Sequence, residues 1–213
     1  MAYPLPDLSD SWEAYQKLEA RSEERYEYHD GETVAMSGAS NRHNKLIARL
    51  IARMLPAAER AGCEVFMESV RLFRHRSDRY LYPDIVSTCH PLDLQTKNGV
   101  RSPWLIVEVL SESSTRKDLG FKMLEYFKLP SLRHYIVIAQ DLRLVHHYQR
   151  QEGGRWLVEL LSEPDETLVL PEWGLALSLA ELYAGIQFGP EPSEAEEAAM
   201  FYGETGGEEG GAV

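Results

Sequence analysis

Three residues, Asp84, Glu108 and Lys122, have the types and the order that metal-dependent attack on a phosphoester requires. Asp84 and Glu108 fall in successive predicted strands, and Lys122 falls in the helix predicted after the second strand. Two carboxylates that converge from neighbouring strands form the oxygen-rich site that Mg²⁺ or Mn²⁺ prefers. A lysine beside them would stabilise charge on a pentavalent phosphorus or orient the attacking water.

Glu108 is the most informative of the three because it interrupts an apolar run. Residues 104–110 read Trp-Leu-Ile-Val-Glu-Val-Leu, with Pro103 before them and a polar segment after them, which predicts a buried central strand. A carboxylate in such a strand is costly unless a cation neutralises it. That cation could be a metal ion or, in a purely structural role, a nearby Arg or Lys, and the sequence leaves both open.

Asp84 and Lys122 also have ordinary structural explanations when each is taken alone. Asp84 follows Pro83, and an aspartate after a proline is commonly a turn residue. A lysine on a helix, such as Lys122, is commonly solvated surface. The hypothesis of a site therefore depends on the occurrence of all three residues in this order.

The elements that must position these residues alternate between helical and extended periodicity, which predicts an α/β (α+β) fold with a mixed central sheet flanked by helices. Helices are predicted at residues 11–25, 42–60, 115–128 and 179–182. Strands are predicted at 64–73, 80–87, 104–110, 134–139, 142–148 and 155–160, with a hairpin in 25–36 that turns at Asp30-Gly31. Pro83 should make the pairing of the second of these strands irregular.

The length of 213 residues suits one domain and a tail. We expect a lead-in at 1–10, a single domain at 11–187 and a disordered acidic, Gly-rich tail at 188–213. The seven glutamates of the tail account for more than half of the net charge of −12, and without them it is −5. A mildly acidic body argues against a tight sequence-specific DNA binder, but not against an enzyme that meets phosphates through a metal.

Three further features concern the compartment. Cys63 and Cys89 have neither metal-ligand spacing nor the pattern of a disulfide framework, so free thiols are predicted. No segment approaches the roughly 18 unbroken apolar residues of a membrane helix. The first residues lack the basic and apolar regions of a secretory signal. A cytoplasmic protein without membrane contact is therefore expected.

Several motifs together resemble the Uma-two family, a large bacterial group of restriction-endonuclease-like proteins with the PD-(D/E)XK nuclease fold. The resemblance covers roughly residues 12–185. The motifs are Tyr26-Glu27-Tyr28 with Asp30-Gly31-Glu32, Arg42-His43, Tyr82-Pro83-Asp84, Val107-Glu108-Val109-Leu110-Ser111, Ser114-Thr115, Asp118, Lys122 and Tyr126.

The resemblance implies that Asp84 and Glu108 are the metal-binding acids and that Glu27 is a further acidic member. It also implies that Lys122 is a catalytic lysine relocated to a helix. The usual nuclease pattern places lysine two residues after the acid, where this sequence has Leu110. The family also commonly has a proline near Glu112, so the loop after Glu108 is expected to differ.

Other polar residues are open to two interpretations. Glu27 is either a site acid or an exposed strand carboxylate beside Arg25. His43 could lie near the site or act as a capping or surface residue. His146 and His147 should point to opposite faces of a strand, so at most one is buried. Arg71, Arg74, Arg76 and Arg79 form either a phosphate-contacting patch or a solvated turn.

The resulting hypothesis is a Mg²⁺- or Mn²⁺-dependent endonuclease that hydrolyses DNA phosphodiester bonds. Its metal would be held by Asp84, Glu108 and the carbonyl of Val109, and Lys122 would stabilise the transition state. The resemblance implies a homodimer, since cutting two strands usually needs two sites. The alternatives are a nuclease-fold binding or regulatory module and a hydrolase of another phosphoester.

Overall fold

The computed structural model describes residues 12–22, 26–29, 32–35, 40–68, 70–73, 80–96, 99–110 and 118–189. The predicted lead-in, the Asp30-Gly31 turn and almost all of the predicted tail lie outside these residues, so those expectations stay predictions. Within the described part of the chain, no helix combines the length and the apolar character that crossing a bilayer requires.

The described elements follow one another as helices and short strands. The helices are α1 (Trp12–Arg21), α2 (Asn41–Arg60), α3 (Met123–Phe127) and α4 (Leu179–Leu182). The strands are β1 (Tyr26–His29), β2 (Glu32–Ala35), β3 (Glu64–Met67), β4 (Leu72–Phe73), β5 (Tyr80–Leu81), β6 (Ile85–Thr88), β7 (Leu105–Leu110), β8 (His134–Ala139), β9 (Val145–Arg150), β10 (Trp156–Leu161), β11 (Thr167–Leu170) and β12 (Leu175–Ser178).

Six strands form the central sheet in the order β10-β9-β8-β7-β6-β3. β7 and β8 are parallel, and every other neighbouring pair in this sheet is antiparallel. A smaller sheet has the order β2-β1-β5-β4, and β11 and β12 form a hairpin. The predicted α/β architecture with a mixed central sheet is therefore confirmed.

β7 lies inside this sheet with all six of its residues buried. Because side chains alternate across a strand, its two faces enter different layers of the core. Leu105, Val107 and Val109 pack in the layer that contains α2, whereas Ile106 and Leu110 pack in the layer that contains Tyr126 of α3. Glu108 shares the second face, so its carboxylate points toward α3.

α2 is amphipathic and lies against the first of these faces. Its buried residues recur at helical spacing, as in Leu46, Leu50 and Met54. Ser40 caps the helix, and its Oγ accepts a hydrogen bond of 3.2 Å from the backbone N–H of His43. The helix continues through Pro56 to Arg60.

Three predicted elements differ in detail. The strand predicted at 64–73 breaks into β3 and β4, and Glu68 between them has a left-handed backbone with φ of 43°. The strand predicted at 80–87 breaks at Pro83 into β5 and β6, in keeping with the expected irregular pairing. The helix predicted at 115–128 contains a π-helical turn, Asp118–Lys122, before α3.

The prediction of free thiols is wrong, because Cys63 and Cys89 are joined in a disulfide. Glu64 of β3 pairs with Thr88 of β6 in antiparallel register, and the two cysteines are the next residues outward on each strand. Their Cα atoms lie 4.1 Å apart. The sequence separation of 26 residues gave no sign of this contact, which follows from the strand register alone.

A pair of histidines is buried between β8 and β9. His134 of β8 and His147 of β9 approach within 2.9 Å through Nδ1 and Nε2, and Glu172 lies 3.3 Å from the outer nitrogen of His134. His147 is buried while His146 is only partly buried, so the prediction that at most one of the two points inward is confirmed.

Burial sets the charge state of this pair. Burial lowers the pKa of His134, against the opposing effect of Glu172. Burial, together with the neighbouring His134, lowers the pKa of His147 to about 3 from the ordinary 6.5. Both rings are therefore neutral in the folded protein at neutral pH, and one proton lies between them.

We expect acid to destabilise the protein through this pair. Below about pH 6.5, His147 binds a proton in the unfolded chain but stays neutral in the folded protein. Unfolding is therefore favoured as the pH falls. Between pH 7 and pH 5, His147 alone should remove about 2 kcal/mol from the free energy of unfolding. Urea unfolding at each pH measures this loss, and His147→Gln should flatten the pH dependence by a similar amount. An equal pH dependence in the variant would contradict the assignment.

Candidate active site

Glu108 is the centre of a buried polar cluster. The residue is 2% exposed, and the Nζ atom of Lys122 lies 3.4 Å from each of its carboxylate oxygens. The hydroxyl of Tyr126 donates a hydrogen bond of 2.6 Å to Oε1 of Glu108. The structure therefore brings Lys122 to Glu108, as the hypothesis requires, and adds a phenol donor.

The local fold explains why both partners reach the same carboxylate. Lys122 closes the π-helical turn and Tyr126 lies four residues later in α3. Residues four apart lie on one face of a helix, so both side chains point toward β7. π-Helical turns are rare and are found frequently at functional sites.

Asp84 lies just before β6 and is tied to the same strand as Glu108. Its Oδ2 accepts a hydrogen bond of 2.6 Å from the backbone N–H of Val109. Ile85 pairs with Val107 in antiparallel register, and continuing that register by one residue places Asp84 opposite Glu108. The backbones of the two predicted acids are thus neighbours on adjacent strands.

His43, in the first turn of α2, contacts Asp84. Its Nε2 lies 3.2 Å from Oδ2 of Asp84, and the imidazole is largely buried. Burial alone would lower the pKa of His43, but the hydrogen bond and the charge of Asp84, with a further contribution from Glu68, outweigh it and raise the pKa above 6.5. The surface or capping interpretation of His43 is therefore wrong.

The start of α2 is held to the sheet by two further contacts. Ser40 Oγ donates a hydrogen bond of 2.7 Å to Oε1 of Gln140, the residue after β8. Arg42 pairs with Asp141 at 3.3 Å. These contacts fix the helix turn that carries His43 and so fix the imidazole relative to Asp84.

The chemistry of the donor set suits a hard divalent cation. Both contacts of Asp84 use Oδ2, and no described residue donates a hydrogen bond to its Oδ1. The Asp84 side chain is 17% exposed, so solvent reaches it. Asp84, Glu108 and the carbonyl of Val109 are oxygen ligands of the kind that Mg²⁺ and Mn²⁺ take together with water.

This set does not include three clustered acidic, histidine or cysteine side chains. Within the described ranges, no group of three or more such residues is arranged to hold a metal. Lys122 already supplies one positive charge to Glu108, which is the structural explanation that the sequence had left open. The metal therefore stays a prediction that depends on two carboxylates and a carbonyl.

The remaining predicted residues are placed only in part. The backbone of Glu27 lies in β1 opposite Val34, and its side chain lies outside the described part of the structure. Arg71 donates a hydrogen bond of 3.0 Å from Nε to the hydroxyl of Tyr82 and lies over its ring. The other three arginines of the predicted patch, Arg74, Arg76 and Arg79, lie outside the described residues.

We expect Lys122→Met to destabilise the protein by about 3 kcal/mol, because it removes the cation that faces a buried carboxylate. Glu108→Gln in the same background should recover most of that loss, since the remaining amide carries no charge. Urea unfolding of the two single variants and the double variant measures the coupling. Additive losses would show that the two side chains do not depend on each other.

Comparison with known proteins places residues 12–180, most of the chain, in one family. The Uma2 family, described as "Putative restriction endonuclease", matches residues 12–180. The uncharacterized protein slr1290 of Synechocystis sp. is 30% identical over 185 residues, which cover 87% of this chain and 96% of that protein. A second uncharacterized Synechocystis protein, sll1609, is 34% identical over 71% of this chain and 88% of its own length.

A solved structure shares the fold. The crystal structure of a "putative nuclease belonging to DUF820" from Anabaena variabilis superimposes with a TM-score of 0.68 and 19% identity, over 83% of this chain and 99% of that one. The predicted restriction-endonuclease-like architecture is thereby confirmed at the level of the fold. The chain belongs to the Uma2 family of restriction-endonuclease-like proteins.

Proposed function

We propose that the protein is a divalent-metal-dependent endonuclease that hydrolyses DNA phosphodiester bonds. The observation that carries this proposal is the buried carboxylate of Glu108, with Lys122 on one side and Asp84 fixed to the adjacent amide of Val109 on the other. Family membership and the shared fold support a nuclease. The DNA substrate, the metal and the residue roles are our own inference.

The metal would be Mg²⁺ or Mn²⁺, held by Asp84, Glu108 and the carbonyl of Val109, where it would neutralise phosphate charge and activate water for in-line attack. The side chains have their own tasks. Tyr126 fixes the direction of the Glu108 carboxylate through its 2.6 Å hydrogen bond. His43 and the backbone N–H of Val109 both contact Oδ2 of Asp84, which leaves Oδ1 to bind a ligand.

Lys122 takes the role that the usual nuclease pattern gives to a lysine on the strand. That strand position is Leu110, which is apolar and buried, so it offers no charge. The ammonium group of Lys122 reaches the same carboxylate from the helix side. We assign it to stabilise the negative charge that develops on the phosphoryl oxygens as the bond to the leaving oxygen breaks. Glu27 stays a proposed further acid by resemblance.

Plasmid nicking in Mg²⁺ or Mn²⁺ tests the activity. Asp84→Asn and Glu108→Gln should each lower the nicking rate by at least about a hundredfold, and Lys122→Met by a similar factor, because each removes charge from the transition state. Glu64→Gln, an exposed carboxylate at the far end of β3, is the matched control and should cut like the parent. Equal cutting by the Asp84 or Glu108 variants would refute the proposed site.

Metal binding can be measured without turnover. Titration calorimetry of the parent with MnCl₂ should show one site per chain, and Asp84→Asn should abolish the heat because it removes the more accessible acid. Thermal unfolding of both proteins without metal controls for folding. A parent protein that binds no Mn²⁺ would instead favour the second candidate function.

That second candidate is a binding or regulatory module on the nuclease fold. The observation in its favour is that Lys122 already neutralises Glu108, with Leu110 at the usual lysine position. Such a module would bind a macromolecular partner without cleaving DNA in any divalent metal. Nicking by the parent and its loss in Glu108→Gln would exclude it.

A further inference from the structure

β10 forms one edge of the central sheet. It is the terminal strand in the order β10-β9-β8-β7-β6-β3, and only β9 pairs with it among the described residues. A strand at an edge presents unpaired backbone groups to any strand that approaches it.

The hydrogen-bond pattern of the β9–β10 hairpin determines which backbone groups of β10 point away from β9. Gln151 donates its backbone N–H to the carbonyl of Arg155, so these residues form a hydrogen-bonded pair. The register continues from Arg150 opposite Trp156 to Val145 opposite Leu161, and hydrogen-bonded pairs alternate along it. The backbone groups of Trp156, Val158 and Leu160 therefore point away from β9, off the edge.

The same strand exposes large apolar side chains on both faces. Leu157 is 53% exposed, Val158 47% and Leu160 59%. Edge strands of monomeric proteins are usually protected by charges, proline or a bulge. Here the charged residues are Arg155 and Glu159, both exposed, and they lie on the face of the strand that carries Leu157.

We propose that β10 pairs with β10 of a second copy of this chain, in antiparallel register about a two-fold axis beside Leu157. In this register Leu157 meets its own copy, and Arg155 of each copy lies opposite Glu159 of the other. Trp156 lies opposite Val158 on the other face, and their outward backbone groups exchange hydrogen bonds. The interface uses one surface twice, as a two-fold dimer requires.

Charge decides this register over its neighbours. If the two-fold axis instead lay beside Val158, one residue further along β10, Val158 would lie opposite its own copy. Leu157 would then lie opposite Glu159 of the other copy. An axis beside Glu159 would place the two copies of Glu159 opposite each other, and like charges directly opposite destabilise a sheet. The register about Leu157 is the one among these that pairs apolar with apolar and basic with acidic residues.

The dimer would continue the sheet from six to twelve strands. A two-fold axis perpendicular to the sheet makes the two β10 strands antiparallel and keeps corresponding faces on the same side, so both Glu108 clusters would face one side of the joined sheet. They would lie seven strand spacings apart, on the order of 35 Å across the sheet. This dimer depends on β10 alone and would form whether or not the protein cleaves DNA.

Analytical ultracentrifugation of the full chain, from about 1 to about 100 μM, tests the association. Arg155→Glu and Glu159→Arg should each weaken the dimer about tenfold, and the double variant should return to within about threefold of the parent. Glu59→Arg, an exposed charge change at the end of α2, is the control and should leave the dimer constant unchanged. A monomeric parent over this range would overturn the proposal, and so would a dimer that neither single variant weakens.

Cysteine crosslinking tests the register separately. Cys63 and Cys89 are joined, so a cysteine introduced on β10 is the one available thiol among the described residues. Leu157→Cys should form a disulfide-linked dimer under mild oxidation, because its partner Cα would lie about 4.5 Å away. Val158→Cys is the matched variant and should crosslink poorly. Preferential crosslinking of Val158→Cys, or of neither variant in a dimeric protein, would show that the register about Leu157 is wrong.

Discussion

A negative charge enclosed by an apolar sheet is the constraint on which the local structure depends. Glu108 lies in a strand whose other five residues are buried and apolar, so its ionised form is tolerated only with donors and a cation close by. Lys122 and Tyr126 meet that need from the helix that follows β7. The position of that helix is thus coupled to the charge on the strand.

Two other buried carboxylates show that Glu108 is unusual. Asp93 accepts hydrogen bonds from the backbone N–H groups of Arg101 and Ser102 and from Thr88, and it organises the loop before β7. Glu125 pairs with Lys128 at 2.6 Å, three residues along the same helical segment. Asp93 is satisfied by Thr88 of β6 and by two backbone N–H groups of the loop, and Glu125 by a neighbour in its own helical segment. Glu108 instead takes both its cation and its hydroxyl donor from a helix that is separate from its strand, which is a costly arrangement for structure alone and a useful one for a site.

The parts of the fold that periodicity controls could be predicted from the sequence. An apolar run between Pro103 and polar residues predicted β7, and the helix predicted after it was expected to bring Lys122 to the two acids. Contacts set by strand register could not be predicted. The Cys63–Cys89 disulfide depends on the register in which β3 pairs with β6, and the spacing of residues in the sequence does not specify that register.

The position of His43 near the site was one of two interpretations that the sequence left open, and the β11–β12 hairpin was not predicted. His43 lies in the first turn of α2, three and four residues before Leu46 and Ile47 and so on the side of the apolar stripe, but a polar residue at the start of a helix is commonly a cap or solvated. Only the docking of that helix turn on the sheet, through Ser40 and Arg42, turns the imidazole toward Asp84. β11 and β12 have four residues each, too short for a periodic signal to stand out.

The disulfide has a consequence for the geometry of α2. Cys63 follows the C-terminal end of this helix and is bonded to the residue after β6, whereas His43 at the opposite end contacts the residue before β6. α2 has twenty residues and is about 30 Å long. It is connected to the two ends of β6, by the disulfide after its C-terminal end and by the His43–Asp84 ion pair at its N-terminal end. Reducing the disulfide would therefore release the C-terminal end of α2, while the contacts of its first turn, made by His43, Ser40 and Arg42, would still hold the other end.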